Sequence, residues 1–221
     1  KGQKNLLRAL MWLAKVQNPD GSWGKEKLGK PAMTGLALLT FLAHGETPNS
    51  KKIGKTVKKA IQWLLNDPVK YKGGPPSYAH SIKTYALAEA YSMSGLSSLQ
   101  EKVLECIKPI IENQQDGGCF DYGYSKKGKQ DLSLAGWTYQ AMKAAYGTNL
   151  EIPGLEQAIY KAIAYLKKTG GSAHSFNYKT ENNTSTKKTR HTMRAVGVLC
   201  LQLFNEGGCD EIKDEIEIIA T

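Results

Sequence analysis

Leu13-Ala14-Lys15-Val16-Gln17-Asn18-Pro19-Asp20-Gly21-Ser22-Trp23-Gly24 decides how this chain folds. Upstream of it, Leu6, Leu10 and Leu13, with Leu7, Met11 and Ala14 beside them, lay apolar side chains along one face of a helix. Asn18-Pro19-Asp20-Gly21 then reads as a turn, because Pro fixes φ and Gly accepts the positive φ of a reversal. Ser22-Trp23-Gly24 sets a large aromatic just past that turn. A second helix follows from about Pro31 to Ala43, since a proline at a first helical position has no N–H partner to lose. Helix, turn, aromatic, helix is the unit.

The unit recurs. Val57, Ala60, Ile61, Leu64 and Leu65 form another amphipathic face, stopped at Asn66-Asp67-Pro68, and a partner helix spans about Tyr78 to Met93. Val103, Ile107, Ile110 and Ile111 form a third face, with Pro109 expected to kink that helix or delay its start. It ends at Gln114-Gln115-Asp116-Gly117-Gly118, and its partner spans about Asp131 to Tyr146. Leu155, Ala158, Ile159, Ala162, Ile163 and Leu166 form the fourth face, with a partner from about Thr189 to Asn205. This gives four helix pairs at about 1–45, 51–95, 97–147 and 153–207. Ile212, Ile216 and Ile219 open a fifth within 208–221, so the chain reads as truncated.

The two helices of a pair differ. The first is amphipathic, with lysines outside; the second is apolar nearly all round, as from Leu36 to Ala43 or from Ala195 to Phe204. A helix apolar on every side is buried on every side, so second helices form an inner layer and first helices an outer one. Gly35, Thr84, Gly136 and Gly197 mark one position in the inner helices. Glycine in a helix costs about 1 kcal/mol against Ala, and close approach of neighbouring inner helices is the expected return.

The stretch from Leu13 to Gly24 resembles the QW motif of squalene and oxidosqualene cyclases. Gln115-Asp116-Gly117-Gly118-Cys119-Phe120 resembles a looser copy, with Phe in place of Trp. Tyr78-Ala79-His80-Ser81-Ile82 and Asp131-Leu132-Ser133-Leu134-Ala135-Gly136-Trp137 are similar to bacterial prenyltransferase and squalene-oxidase repeat proteins. The resemblance implies an all-α fold, an α/α toroid of inner and outer helices. It assigns Gln17, Asp20, Gly21 and Trp23, and again Gln115, Gly117 and Phe120, to a structural tie between layers. Such rings hold six or seven repeats. With axes roughly 9.5 Å apart, four inner helices closed into a square leave almost no lumen. The fragment is therefore expected to be an open arc.

Function is read at the inner-helix N-termini, expected at one end of the arc. There helix dipoles favour an anion. Near them lie Tyr78, His80 and Ser81, then Asp131 and Ser133, then Lys187, Lys188, Arg190 and His191. An isoprenoid diphosphate suits this set, its tail on a wall of Tyr85, Trp137 and Tyr139. Ordinary capping by Asp131 and Ser77, with surface lysines, accounts for the same residues. His80, Asp131 and His191 are the catalytic candidates; each histidine either packs at the rim or lines one shared pocket.

Several chemistries have no support in the sequence. The resemblance implies a prenyltransferase zinc set of Asp-x-Cys and His, but Asp131-x-Ser133 lacks the thiolate, so neither metal nor cofactor is expected. The cyclase D-x-D-D motif and the complement-type thioester motif are absent. Cys106, Cys119, Cys200 and Cys209 form no C-x-x-C pair. A net charge of +10 is spread over many segments without a nucleic-acid motif, so no nucleic-acid partner is expected. No apolar run approaches a membrane span. The chain opens Lys1-Gly2-Gln3, which reads as an excised or processed fragment. The leading expectation is a toroid domain binding an apolar or isoprenoid small molecule. The alternatives are a piece of an active cyclase or prenyltransferase whose catalytic residues lie elsewhere, and a scaffold binding a protein or peptide partner.

Overall fold

The computed structural model describes residues 2–26, 29–67, 77–170, 176 and 191–220. Among these the regular structure is all helix, without a strand: α1 (Gly2–Lys15), α2 (Lys30–Ala43), α3 (Gly54–Asn66), α4 (Ser77–Ser94), α5 (Ser97–Asn113), α6 (Leu132–Tyr146), α7 (Leu155–Thr169), α8 (His191–Leu203) and α9 (Asp210–Ala220). α2 packs on α4, α4 on α6 and α6 on α8, while α3, α5 and α7 each bridge two neighbours in that row, α1 lies against α2 and α9 against α8. The even-numbered helices are the ones the sequence leaves apolar all round, so burial against two neighbours and a bridging layer is what their composition demands. Pro109 lies inside α5, which begins at Ser97, so it does not delay the helix start.

Paired contacts give the direction of the row. Tyr78 meets Ser133 and, farther along both helices, Ser81 meets Thr138, so α4 and α6 run parallel. Gly136 lies against Val196, and Tyr139 packs on Phe204 just past α8, so α6 and α8 run parallel as well. A Cβ on Gly136 would come within 2.6 Å of Val196 Cγ1, and one on Gly35 within 3.0 Å of Ile82 Cγ2. These glycines therefore sit where neighbouring even-numbered helices touch. Gly197 faces the Phe176 ring instead.

The turn after α1 ties the layers together. Gln17 Nε2 donates to Gly21 O and to Thr56 O in α3, both at 3.0 Å. Trp23 is buried on Phe41; its N–H donates to Thr34 Oγ1 in α2 and its indole N–H to Leu13 O in α1. Asp20 accepts from the backbone and hydroxyl of Ser22 and pairs with Lys30. Against the upward push of burial, these contacts bring its pKa to about 2.

The same turn follows α5, one residue away from the sequence expectation. Gln114 Nε2, and not Gln115, donates to Gly118 O at 3.0 Å and to Ala158 O in α7 at 2.9 Å. Gly118, and not Gly117, takes the positive φ of 92°, matching 94° at Gly21. The geometry requires that glycine four residues after the glutamine, which only Gln114 and Gly118 satisfy. Gln115 instead donates its side-chain amide to Ser125 O and Gly128 O, holding the following loop. Phe120 is fully buried where Trp23 lies in the first turn.

Candidate functional site

On a helix, successive residues turn by about 100°, so packing partners sort the sides of α4 and α6. On α4, Ser81 faces α6, Ile82 faces Gly35 of α2, and Lys83 reaches Asp67 beyond the end of α3. Tyr78, Tyr85 and Glu89 are left half-buried on the remaining side. On α6, Thr138 faces α4, Gly136 faces α8 and Tyr139 faces the turn after α5. Ser133, Trp137 and Gln140 remain half-buried. Tyr78, Tyr85 and Trp137 thus belong to one stripe that the bridging helices leave uncovered.

The N-terminal end of that stripe is a fixed polar cluster. Asp131 caps α6, its Oδ1 accepting from Leu134 N at 3.1 Å and from the Ser133 hydroxyl. That spends the one hydrogen of Ser133, so the 2.5 Å contact between Ser133 and Tyr78 has the Tyr78 hydroxyl donating. Tyr122 lies beside Tyr78 with ring centroids 5.5 Å apart. Burial, with Tyr122 and Asp131 nearby, outweighs the Ser133 bond and pushes Tyr78 up to about 12. Burial raises Tyr85, helped by Glu89, and burial raises Glu89 itself. At neutral pH this end presents uncharged phenols above an aromatic wall.

His80 lies elsewhere. Two residues from Tyr78, it points roughly 200° away around α4. It lines a cleft of about 370 Å³ with Asp67, Lys83, Lys102, Glu105 and Cys106, between the end of α3, the start of α4 and the side of α5. His80 Nδ1 lies 3.0 Å from Tyr124 Oη, and the two rings meet edge-on. Burial, reinforced by Lys83, lowers its pKa to about 4, so the imidazole is neutral at pH 7.

The sequence-derived set therefore divides. Asp131 touches the Tyr78 stripe but serves as a helix cap. His80 faces the other side of α4, so one pocket shared with Asp131 does not form. Tyr139 is removed from the wall: it is fully buried, donates to Gly118 O at 3.0 Å and packs on Phe120 and Phe204. Lys187, Lys188 and Arg190 lie outside the described residues, as does the side chain of His191. Among the described residues no three His, Cys, Asp or Glu side chains converge as a metal set, and no helix is long and apolar enough to cross a membrane. Tyr124, Lys83, Asp67 and Glu89 were not singled out from sequence. Tyr124 sits in a loop with φ of 54°, where no periodicity announces it. Compared with protein-family models and with curated proteins, the chain matches none.

Proposed function

We propose that the chain is an open arc of an α/α toroid, four helix pairs with α9 beside the last, whose uncovered inner stripe binds an apolar, isoprenoid-like ligand. One observation carries this reading: Tyr78, Tyr85 and Trp137 stay half-buried on a side that no described helix covers, on helices closely packed elsewhere. Aromatic faces beside a few polar groups are what an apolar ligand needs for both burial and orientation. The parallel inner helices and the twice-used glutamine tie support the likeness to cyclase and prenyltransferase repeats. A diphosphate head rests on the sequence alone, through Lys187, Lys188 and Arg190.

Titration with farnesol and with farnesyl diphosphate, followed by calorimetry, tests the reading. Trp137→Ala removes roughly 60 Å² of ligand contact, about 1.5 kcal/mol, and is expected to weaken farnesol about tenfold in a variant checked to be folded at the assay temperature. Non-saturable binding, or equal binding by the variant, refutes it. Salt-sensitive preference for the diphosphate would assign the basic residues to its head.

A further inference from the structure

The buried hydroxyls behind His80 form a chain whose hydrogens can be counted. Thr138 Oγ1 donates to Leu134 O at 3.2 Å. Ser81 Oγ lies 3.0 Å from Thr138 Oγ1 and 3.1 Å from Tyr124 Oη, and Tyr124 Oη lies 3.0 Å from His80 Nδ1. Each hydroxyl owns one hydrogen. With the Thr138 hydrogen on the carbonyl of its own helix, Ser81 donates to Thr138, Tyr124 donates to Ser81, and His80 Nδ1–H supplies the last link. Run the other way, from Thr138 to Ser81 to Tyr124, the chain would make Nδ1 the acceptor; the proposal below rests on the first order. The contact from Tyr124 Oη to Ser77 O, at 3.5 Å, is too long to compete for the Tyr124 hydrogen. That order puts the imidazole hydrogen on Nδ1 and leaves His80 Nε2 as a bare acceptor. No described group bonds Nε2, although the residue is only 8% exposed, and the opening beside it is the cleft.

The remaining cleft groups define what that acceptor serves. Lys83 Nζ pairs with Asp67 at 2.7 Å, both nearly buried, and Lys102 pairs with Glu105, whose carboxylate is 65% exposed. Among the described residues that line the cleft, two ammonium groups face two carboxylates. A simple anion would face Asp67 and a histidine nitrogen that cannot donate to it; a simple cation would face Lys83 and Lys102. A ligand carrying both charges exchanges partners without changing the net charge. We propose that this cleft binds a small zwitterion of the α-amino-acid class, its ammonium donating to His80 Nε2 and pairing with the acidic side, its carboxylate taking Lys102 from the loosely held Glu105. The volume of about 370 Å³ suits one such molecule, at the small end of ligand pockets.

The test uses the whole chain. Imidazole nitrogen NMR reads the tautomer of the free protein directly, and a pool of the twenty amino acids, followed by each alone, is titrated calorimetrically. The expected results are an Nδ1–H tautomer, saturable binding of at least one amino acid, and a shift of the His80 Nε2 signal on binding. The N-acetyl form, lacking the ammonium, and the amide form, lacking the carboxylate, should each bind at least tenfold more weakly. Lys102→Gln, which keeps most of the side chain's length and removes its charge, should weaken binding about tenfold with little change in melting. Tyr124→Phe, checked for folding, should let the Nε2–H tautomer appear and weaken binding similarly. An Nε2–H tautomer in the native protein, no binding from the pool, or blocked forms binding as well as the parent would overturn the proposal.

Discussion

Gly118→Ala against Gly117→Ala separates the two possible placements of the turn after α5. At Gly118 the backbone has φ of 92°, and a Cβ would press into Lys161 O of α7, well inside contact distance. A side chain at positive φ costs about 1–2 kcal/mol. Restoring a C···O separation of about 3.3 Å forces the turn back from α7 by roughly 1 Å. The 2.9 Å bond from Gln114 to Ala158 O breaks at that displacement, losing about 1 kcal/mol more and straining the Tyr139 bond to Gly118 O. The total is about 2–3 kcal/mol, or a melting temperature lower by about 8 °C for a chain of this size. At Gly117 a Cβ meets only Gln130 Nε2 at 3.2 Å, the end of a flexible side chain, so the loss should stay within about 1 kcal/mol. Urea denaturation of both variants alongside the parent chain measures the difference. Equal losses, or a larger loss at Gly117, would refute the assignment of Gln114 and Gly118 to the tie.

Trp23→Ala, removing a ring buried on Phe41, should cost about 3–5 kcal/mol by chemical denaturation; a wild-type midpoint would deny it any part in the tie. Tyr139→Phe should cost about 1 kcal/mol, because Gly118 O keeps Gln114, and should leave farnesol binding unchanged; weakened binding would return Tyr139 to the ligand wall. His80 carries an acid signature. Unfolded, its imidazole takes a proton near pH 6.5; folded, only near pH 4. The unfolded state therefore binds the extra proton between those values. The contribution is complete above about pH 6.5, falls as pH drops, and is gone below about pH 4, roughly 3 kcal/mol in all. Urea midpoints from pH 7 to 4 should fall in the parent and be flatter in His80→Gln; parallel profiles would sink this account.

Helix kind was readable because burial on one side or on all sides writes itself into the 3.6-residue period. The placement of the second turn was not, since Gln114-Gln115 and Gly117-Gly118 offer two candidates for each role. Backbone geometry breaks that tie: one glycine must adopt positive φ while its glutamine reaches α7. The wall of Tyr85, Trp137 and Tyr139 overlooked a signal the sequence does contain. Trp137 and Tyr139 are two residues apart, so they point about 200° away from each other and cannot share a face. The same holds for Tyr78 and His80. Tyr124 had no such signal, because a loop residue is placed by the partners it finds, here His80, Ser81 and Phe120.

That 200° separation gives α4 two unlike sides. Its uncovered side offers phenols and an indole neighbour, with Asp131 held as the cap of α6; its other side offers paired charges and a bare imidazole nitrogen. Between them runs Ser81, the one α4 side chain bonded toward both Tyr124 and Thr138. Ser81→Ala would cut the chain of hydrogens while leaving both surfaces in place. Tyr124 would then lose its acceptor and turn its hydrogen toward His80 Nδ1, which releases the Nδ1–H tautomer. The stripe, which takes no hydrogen from this chain, would be untouched. A substitution on α4 is therefore judged by the side it faces, and adjacent residues there report on different sites.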